Sequence, residues 1–594
     1  MTPLTVRNPF PWYQFPMGNK YPTNPRRGTA PRPWLVVLIL LTLTVLACIG
    51  AVHVAGRENR SQHLSDRGAA ELHTILNVAK LAALGNERLT SLADQAQTLY
   101  SSTEHSLLWI KDGKPTAQAR EVLDRVQHAD EKGLDPQEYD GRFGTFRFAS
   151  LEIPGHPSES DLIRFDVALT LATMRYLSDL HVGRVNPKSP VFAVEVHEKT
   201  LDLPSFIKEE LVNAKDPRVA MQSVEPQFLG YRRTLHVLES YRNFLEHDDG
   251  ALLPDPRRSL EPGMPYAGAG RLRSLLQLLG DLEDTRNSAS ANYDTGLANG
   301  VERFQDRHGL EPSGVLDSAT LRELNTPIAQ RIQQLELTLE RWRWLPSTFT
   351  SPPIVVNIPE FRLHVVDKEH HIVSSMNVVV GRAYHHATPL FESEITSVLF
   401  RPPWNVPLEI QRNELLPQIE KNASYLADNS YDVVDARGNR VEESTPTEET
   451  LTRLRNGQLF LRQRPGEENS LGLVKFEFPN PYDVYLHGTP AQELFSKSRR
   501  DFSHGCVRVE DPVALAAWLL RENAGWNQER VVAAMHDTET VRVPLAHPVP
   551  VWIVYGTAVV LEDGRVRFFN DIYGQDAALE HELELERVVA SAGE

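Results

Sequence analysis

The sequence predicts an α+β multidomain chain: an N-terminal membrane helix, a helical scaffold domain, a small helical module and a mainly-β domain with a long capping insertion. Three observations carry this. The 594 residues exceed one domain. A single uncharged run, Trp34 to Val52, stands near the N-terminus. After Arg341-Trp342-Arg343-Trp344 the apolar period switches from helical to alternating. With 41% apolar and 24% charged residues the chain has ample core, which excludes whole-chain disorder and a polytopic membrane protein. The formal net charge of −17 argues against a nucleic-acid partner, whose phosphates would be repelled.

In chain order, residues 1–33 form a basic leader with Arg7, Lys20, Arg26, Arg27 and Arg32 and no acidic residue. The run that follows has about nineteen residues, enough at 1.5 Å per residue to cross a hydrocarbon core of roughly 30 Å. We read 34–54 as a single-pass inner-membrane anchor, with the leader cytoplasmic and the rest exported to the periplasm. Val45-Leu46-Ala47-Cys48 also resembles a lipoprotein cleavage box, so lipidation of Cys48 is the competing reading. If Cys48 lies in the bilayer, Cys506 has no intrachain partner, and a solitary exported thiol is a liability unless it has work to do. The alternative is a buried, inert cysteine.

Residues 57–285 read as the helical scaffold. Leu162, Phe165, Leu169, Ala172, Tyr176 and Leu180 recur at three- and four-residue steps. Thr116 is placed to cap a second helix that stops at Gly133. The scattered histidines His73, His128 and His181 suggest surface or core roles rather than chemistry. Leu253 to Pro265 is too rich in proline to continue a helix and marks a linker or elbow. Residues 286–330 form the small module, with Leu297, Val301 and Phe304 on one helical stripe and a short helix at Ser318 to Leu324. Beyond it, residues 340–575 alternate: Ile354, Val356 and Ile358 first, then Leu363 to Val366 and Val373 to Val380 flanking Asp367-Lys368-Glu369-His370 as a hairpin. Residues 408–470 are a polar insertion, of a length that suits a lid or a disordered excursion. Strands return from Val549 to Tyr573 around the turn Glu562-Asp563-Gly564.

Two strings concentrate the chemistry: Tyr485-Leu486-His487-Gly488-Thr489-Pro490 and Ser503-His504-Gly505-Cys506-Val507-Arg508. A thiol with a pKa near 8.5 is about 3% ionised at neutral pH, so Cys506 as nucleophile needs a neighbouring base. His504 and His487 are the candidates. His487 is preferred because imidazole reach is easier from a separate strand end. Gly505 frees the backbone to aim the Gly505 and Cys506 amides at one point as an oxyanion hole. Arg508 suits a substrate carboxylate or a surface salt bridge. His385-His386 lacks further ligands at metal spacing, so no metal is expected. No Gly-x-Ser-x-Gly elbow or Ser-x-x-Lys with a Lys-Thr-Gly partner supports a serine enzyme.

These strings, with Arg341 to Pro346, Pro402 to Pro407, Arg464-Pro465-Gly466, Leu471-Gly472 and Lys475-Phe476, closely resemble the L,D-transpeptidase family with the YkuD catalytic domain, in its YcbB-like membrane-anchored branch. Phe304-Gln305, His308-Gly309-Leu310, Gly314-Val315-Leu316 and Thr320-Leu321 resemble a peptidoglycan-binding domain. The resemblance implies that Cys506 takes up the acyl group of a peptidoglycan tetrapeptide stem with His487 as base, and that a diaminopimelate amine resolves the thioester into a 3-3 cross-link. It implies no cofactor, substrate contacts from Arg508, Ser503, Trp404, Tyr485 and Tyr425, contributions from His504, Gly505 and Gly488, acylation by carbapenems, and wall-synthesis enzymes as further partners. Water or a wall protein as acceptor would make the chain an L,D-carboxypeptidase or an anchoring transferase, and a vestigial Cys506 would leave a non-enzymatic wall-binding scaffold. Gly488 stands where the branch often has Asp, and Arg508 where smaller relatives have Asn.

Overall fold

The computed structural model describes residues 64–591, apart from 85, 141, 144–145, 148–154, 284–290, 348–350, 369–370, 384–385, 423 and 442–445. The expected anchor at 34–54, Cys48 and His385 lie outside the described residues. Among the described residues no helix is long and apolar enough to cross a membrane.

The N-terminal region is helical because each helix has an apolar face and a side-chain cap. Helices α1 (Asp66–Ala82), α2 (Glu87–Ser102), α3 (Ala117–Gln127) and α4 (Glu159–Val182) are capped by Ser65, Asn86, Thr116 and a Ser158–Asp161 capping box. Thr116 therefore does what its position suggests, and Gly133 stops the following turn at a φ of 70°. α4 is buried almost all round, as expected for the central helix of a bundle. It buries Asp166, whose carboxylate accepts from the Tyr100 hydroxyl at 2.6 Å and from the Leu108 and Trp109 amides at 3.1 and 2.7 Å. Burial nevertheless raises its pKa to about 6.

Helices α5 (Leu229–Leu245), α6 (Ala269–Leu278), α7 (Thr295–Arg307), α8 (Ser318–Leu324) and α9 (Ile328–Trp344) surround a second core. It contains Leu272, Leu276, Leu297, Val301, Phe304 and Leu321, so the small module draws on residues before 286. Leu253 and Leu260 are buried there too, and Leu260 bridges Leu316, so the proline-rich segment is a packed strap rather than a free linker. The hairpin of Ala558–Val560 with Val566–Phe568 turns at Gly564 and inserts its apolar residues into the same core.

The C-terminal region is built on eight strands: β1 (Ile354–Asn357), β2 (Arg362–Val366), β3 (Ile372–Gly381), β4 (Phe391–Phe400), β5 (Val474–Glu477), β6 (Leu486–His487), β7 (Val507–Val509) and β8 (Val541–Val554). They pair in the order β3-β7-β6-β5-β4-β8-β1-β2, and β2 pairs again with β3, which closes the sheet. The expected hairpin is β2-β3, with Val366 opposite Ile372. A short strand, Asp501–Ser503, adds in parallel to the end of β3.

The 408–470 insertion is a folded unit rather than an extended excursion. Tyr431–Val434, Phe460–Gln463 and Trp404–Asn405 form a three-stranded sheet. Helical segments from Leu408 to Lys421 and Glu448–Arg455 cover it, and Leu415, Ile419, Leu426, Val433, Leu454 and Leu461 form its core. Buried Gln411 ties the two layers, donating to the Leu454 and Leu459 carbonyls at 2.8 and 3.1 Å and accepting from the Leu461 amide at 2.8 Å.

Candidate active site

Strand register decides which side chains meet. Phe476 pairs with Leu486 and Leu486 with Val507, and all three are fully buried inside the closed sheet. Side chains alternate, so Lys475, His487 and Arg508, themselves paired across the three strands, lie on the outer face. Tyr485 and Cys506 precede Leu486 and Val507 by one residue and share that face. The Val507 amide donates to the Tyr485 carbonyl at 3.0 Å, which keeps the register up to the cysteine.

Glycines let the backbone approach this face. Gly505 has a φ of +114°, a conformation that side chains resist, and its carbonyl accepts from Thr388 Oγ1 at 2.8 Å. Thr388 Oγ1 also accepts from the Gly381 amide at 2.9 Å, and Tyr573 donates from its hydroxyl to the Gly381 carbonyl at 2.5 Å. A Cβ on Gly381 would lie 1.9 Å from the His386 carbonyl oxygen. Gly472 has a φ of +64° and lies under the 488–489 peptide, where a Cβ would sit 2.6 Å from Gly488 C and Thr489 N. Gly488 itself has room, with nothing closer than 3.6 Å.

The partly buried Cys506 thiol donates to the Asp483 carbonyl at 3.7 Å. Burial pushes its pKa up, while hydrogen bonds from the Tyr485 amide and hydroxyl and the nearby Lys475 ammonium pull it down. Lys475 Nζ lies 3.7 Å from the centre of the Tyr485 ring. His487 is buried, and its Nδ1 meets the Gly488 carbonyl at 2.5 Å. Burial first, then the Arg508 and Lys475 cations, lowers its pKa to about 3, so the ring is neutral. Donation from Nδ1 to the carbonyl leaves Nε2 as the basic nitrogen. Desolvation also lowers the Arg508 pKa, and its buried Nε has no hydrogen-bond partner.

The structure thus brings together Cys506, His487, Tyr485, Arg508, Gly488, Gly505, Ser503 and His504, with different duties. Ser503 is buried, donates to the Cys506 carbonyl at 2.5 Å and accepts from the Gly505 amide at 3.2 Å. It braces the loop rather than facing a ligand, and it occupies the Gly505 amide expected in the oxyanion hole. His504 turns away to Glu414 of the insertion at 2.5 Å, with its ring centre 4.7 Å from that of His386. Trp404 and Tyr425 are not in this group: both pack on Tyr431 inside the insertion, at ring separations of 6.4 and 6.3 Å. Both are half-buried against the core of the insertion. Sequence reasoning missed Lys475, Thr388, Gly381 and Glu414. The strict alternation around Phe476 could have placed Lys475; the others depend on chain segments far apart in sequence. Among the described residues no three His, Cys, Asp or Glu side chains are placed to hold a metal.

A sulfur, a neutral imidazole and a guanidinium on one sheet face are groups of the kind that thiol acyl transfer uses. Comparison with known proteins gives the family. Residues 352–560 match the YkuD model, described as "L,D-transpeptidase catalytic domain"; residues 269–324 match a "Putative peptidoglycan binding domain" and residues 94–238 a "Scaffold domain". A Haemophilus influenzae protein named "Putative L,D-transpeptidase" is 32% identical over 244 residues, covering 41% of this chain and 48% of that protein. The chain therefore spans about half the length of the curated relative it matches. It carries an L,D-transpeptidase catalytic domain over residues 352–560.

Proposed function

We propose that the chain is a cysteine-dependent L,D-transpeptidase that forms 3-3 cross-links in peptidoglycan. The observation that supports the reading is the β6-β7 register, in which Cys506, His487, Tyr485 and Arg508 share one face of the sheet. In the first step the Cys506 thiol rotates from the Asp483 carbonyl toward Nε2 of His487 and gives up its proton. Such hydrogen bonds are often unmade before substrate arrives. The thiolate attacks the carbonyl between the L-centre of diaminopimelate and the terminal D-alanine. The developing oxyanion meets the Cys506 amide, Arg508 holds a stem carboxylate, and the protonated ring passes its proton to the departing D-alanine amine. In the second step a diaminopimelate side-chain amine of another stem loses its proton to His487 and attacks the thioester, releasing the thiol and closing the cross-link.

The apolar run and basic leader support an inner-membrane anchor with the catalytic part in the periplasm, checked by reporter fusions on either side of residues 34–54. The decisive chemical experiment is mass spectrometry of full-length protein after incubation with a carbapenem, followed by product analysis with tetrapeptide muropeptides. A covalent adduct on the Cys506 peptide, absent in Cys506→Ala, with 3-3 dimers as products is the expected result. Tripeptides alone would replace the transpeptidase by a carboxypeptidase, conjugates to a wall protein by an anchoring transferase, and no adduct at all would remove the enzymatic reading.

A further inference from the structure

A second cavity lies apart from the cysteine, between the scaffold helices and the end of α9. Its volume is about 480 Å³, within the range of small-molecule sites, and none of the side chains around Cys506 lines it. Arg88, Arg184, Lys188, Lys199 and Arg343 line it with one carboxylate side chain, Glu198, while Arg88 is paired behind the wall with Asp179 and Arg184 with Glu138. Arg184 and Arg343 share Glu340, to which they lie 3.3 and 3.4 Å away. Three donors on this lining are buried with no hydrogen-bond partner: Lys199 Nζ, Arg343 Nε and Trp344 Nε1. Buried polar groups in folded proteins are nearly always paired, and a set composed of donors alone, two of them cationic, calls for an acceptor with negative charge. Burial, reinforced by Arg343, lowers the Lys199 pKa to about 7, the cost expected of an ammonium held without its counter-ion.

Trp344 and Val196 belong to a second wall as well. They also line a mostly apolar cavity of about 160 Å³ with Phe228, Trp342, Leu345 and Phe391. An apolar cavity of about 150 Å³ accepts a benzene-sized group. The two spaces therefore share the wall formed by Trp344 and Val196, one cationic and one apolar.

We propose that this composite cavity binds a small amphiphilic anion, its carboxylate or phosphate head at Lys199 and Arg343 and its alkyl end beyond Trp344. A fatty carboxylate and a lipid-derived phosphate share this chemistry. The site is independent of the cysteine chemistry, and its test reads binding rather than turnover. Full-length protein is titrated with hexanoate and hexyl phosphate, against acetate, inorganic phosphate and hexan-1-ol, by calorimetry and by the fluorescence of the tryptophans at the site. The expected result is saturable binding of one or both hexyl anions at least about ten-fold tighter than of acetate, phosphate or hexanol. Which hexyl anion binds more tightly names the head group. Lys199→Met should weaken binding about ten-fold and Lys199→Arg should retain it, with carbapenem acylation of Cys506 unchanged in both. Val196→Phe should erase the preference for the hexyl chain without affecting the head. Equal binding of hexanol and hexanoate, unaltered hexanoate affinity in Lys199→Met, or no binding of either hexyl anion would overturn the proposal.

Discussion

The catalytic face buries one histidine and the small helical module half-buries another, and both rings have pKa values lowered by the same two causes. Burial is the first cause that lowers the pKa of His487 and of His308, and a neighbouring arginine, Arg508 or Arg307, is the second. Their surroundings differ in completeness. His308 stacks on Phe304 at 3.8 Å and engages the Phe304 carbonyl through Nδ1 at 2.8 Å. Its neighbour Arg307 is closed by Asp281 and the Val566 carbonyl, and Gln305 uses its amide on Ser313, Gly314, Val315 and Thr320. On the catalytic face Arg508 keeps an unpartnered Nε, and the thiol proton is given to the Asp483 carbonyl at a long 3.7 Å. Residue type and pKa direction therefore do not separate architecture from chemistry; unfilled bonding capacity at an accessible face does.

The sharpest way to break the comparison is to change the backbone that makes the catalytic face possible. Gly381→Ala sets a Cβ against the His386 carbonyl at 1.9 Å, and neither partner is a flexible side-chain end. Carbapenem acylation should fall by at least about 100-fold, since misplacing reacting groups by about 1 Å has that effect, with a lowered melting temperature. Gly488→Ala, whose Cβ meets only ordinary contacts, should remain acylatable. In the module the matching change is Arg307→Met, which strands the buried Asp281 carboxylate. A loss of about 3–5 kcal/mol in urea unfolding is expected, substantially recovered when Asp281→Leu is added.

Acid separates neither ring, and that is itself a test. Both histidines have folded pKa values below the unfolded 6.5, so below that pH the unfolded chain takes up protons that the folded chain refuses. Their contribution is present above pH 6.5 and lost as pH falls toward about 3 for His487, with stability rising with pH across the window at up to about 1.4 kcal/mol per unit for each ring. Urea midpoints between pH 4 and 8 should show a slope that flattens when His308 is replaced by Phe. A slope unchanged in that variant would mean that the module opens before its histidine titrates.

A finer contrast concerns Tyr485, whose hydroxyl belongs to the open side of the comparison. Tyr485→Phe removes a hydrogen bond to the thiolate, an interaction of about 1.5–3 kcal/mol when charged. Acylation at neutral pH should fall about ten-fold and recover as pH is raised through the thiol pKa, while the urea midpoint stays close to wild type. A loss that did not recover at high pH would assign Tyr485 to substrate contact instead.

Much of this was legible in sequence, and the limits are physical. Local signals held in part: Thr116 caps its helix, which ends at Gln127 so that Gly133 stops a separate turn, Phe304 and Leu321 build the module core, and the β2-β3 hairpin forms where the period alternates. The motif strings single out Cys506, His487 and Arg508, and alternation along β6 and β7 puts them on one face. Ser503 was misread because its partners are the carbonyl and amide of its own loop, bonds that depend on the φ of Gly505. Trp404 and Tyr425 pack against a core within the insertion, which its polar sequence does not announce. Lys199 lies in a stretch without period, and its role depends on helices more than a hundred residues away on either side.

The smallest expected effect falls where the insertion touches the catalytic loop. Glu414 in the Leu408–Lys421 helical stretch meets His504, two residues before the cysteine, with the carboxylate 45% and the imidazole 22% exposed. Pairs this exposed contribute about 0–1 kcal/mol. Glu414→Gln should therefore leave the urea midpoint within error and change carbapenem acylation by no more than about three-fold. If the pair holds the insertion over the loop, the change should be an acceleration, because loosening it opens the cysteine to small acylating agents. The same variant should slow cross-linking of the larger muropeptide, which needs the insertion as a wall. Opposite signs with the two substrates identify a closing contact. A uniform decrease would instead make His504 a support of the loop itself, and would move it to the fully partnered side of the comparison, with His308.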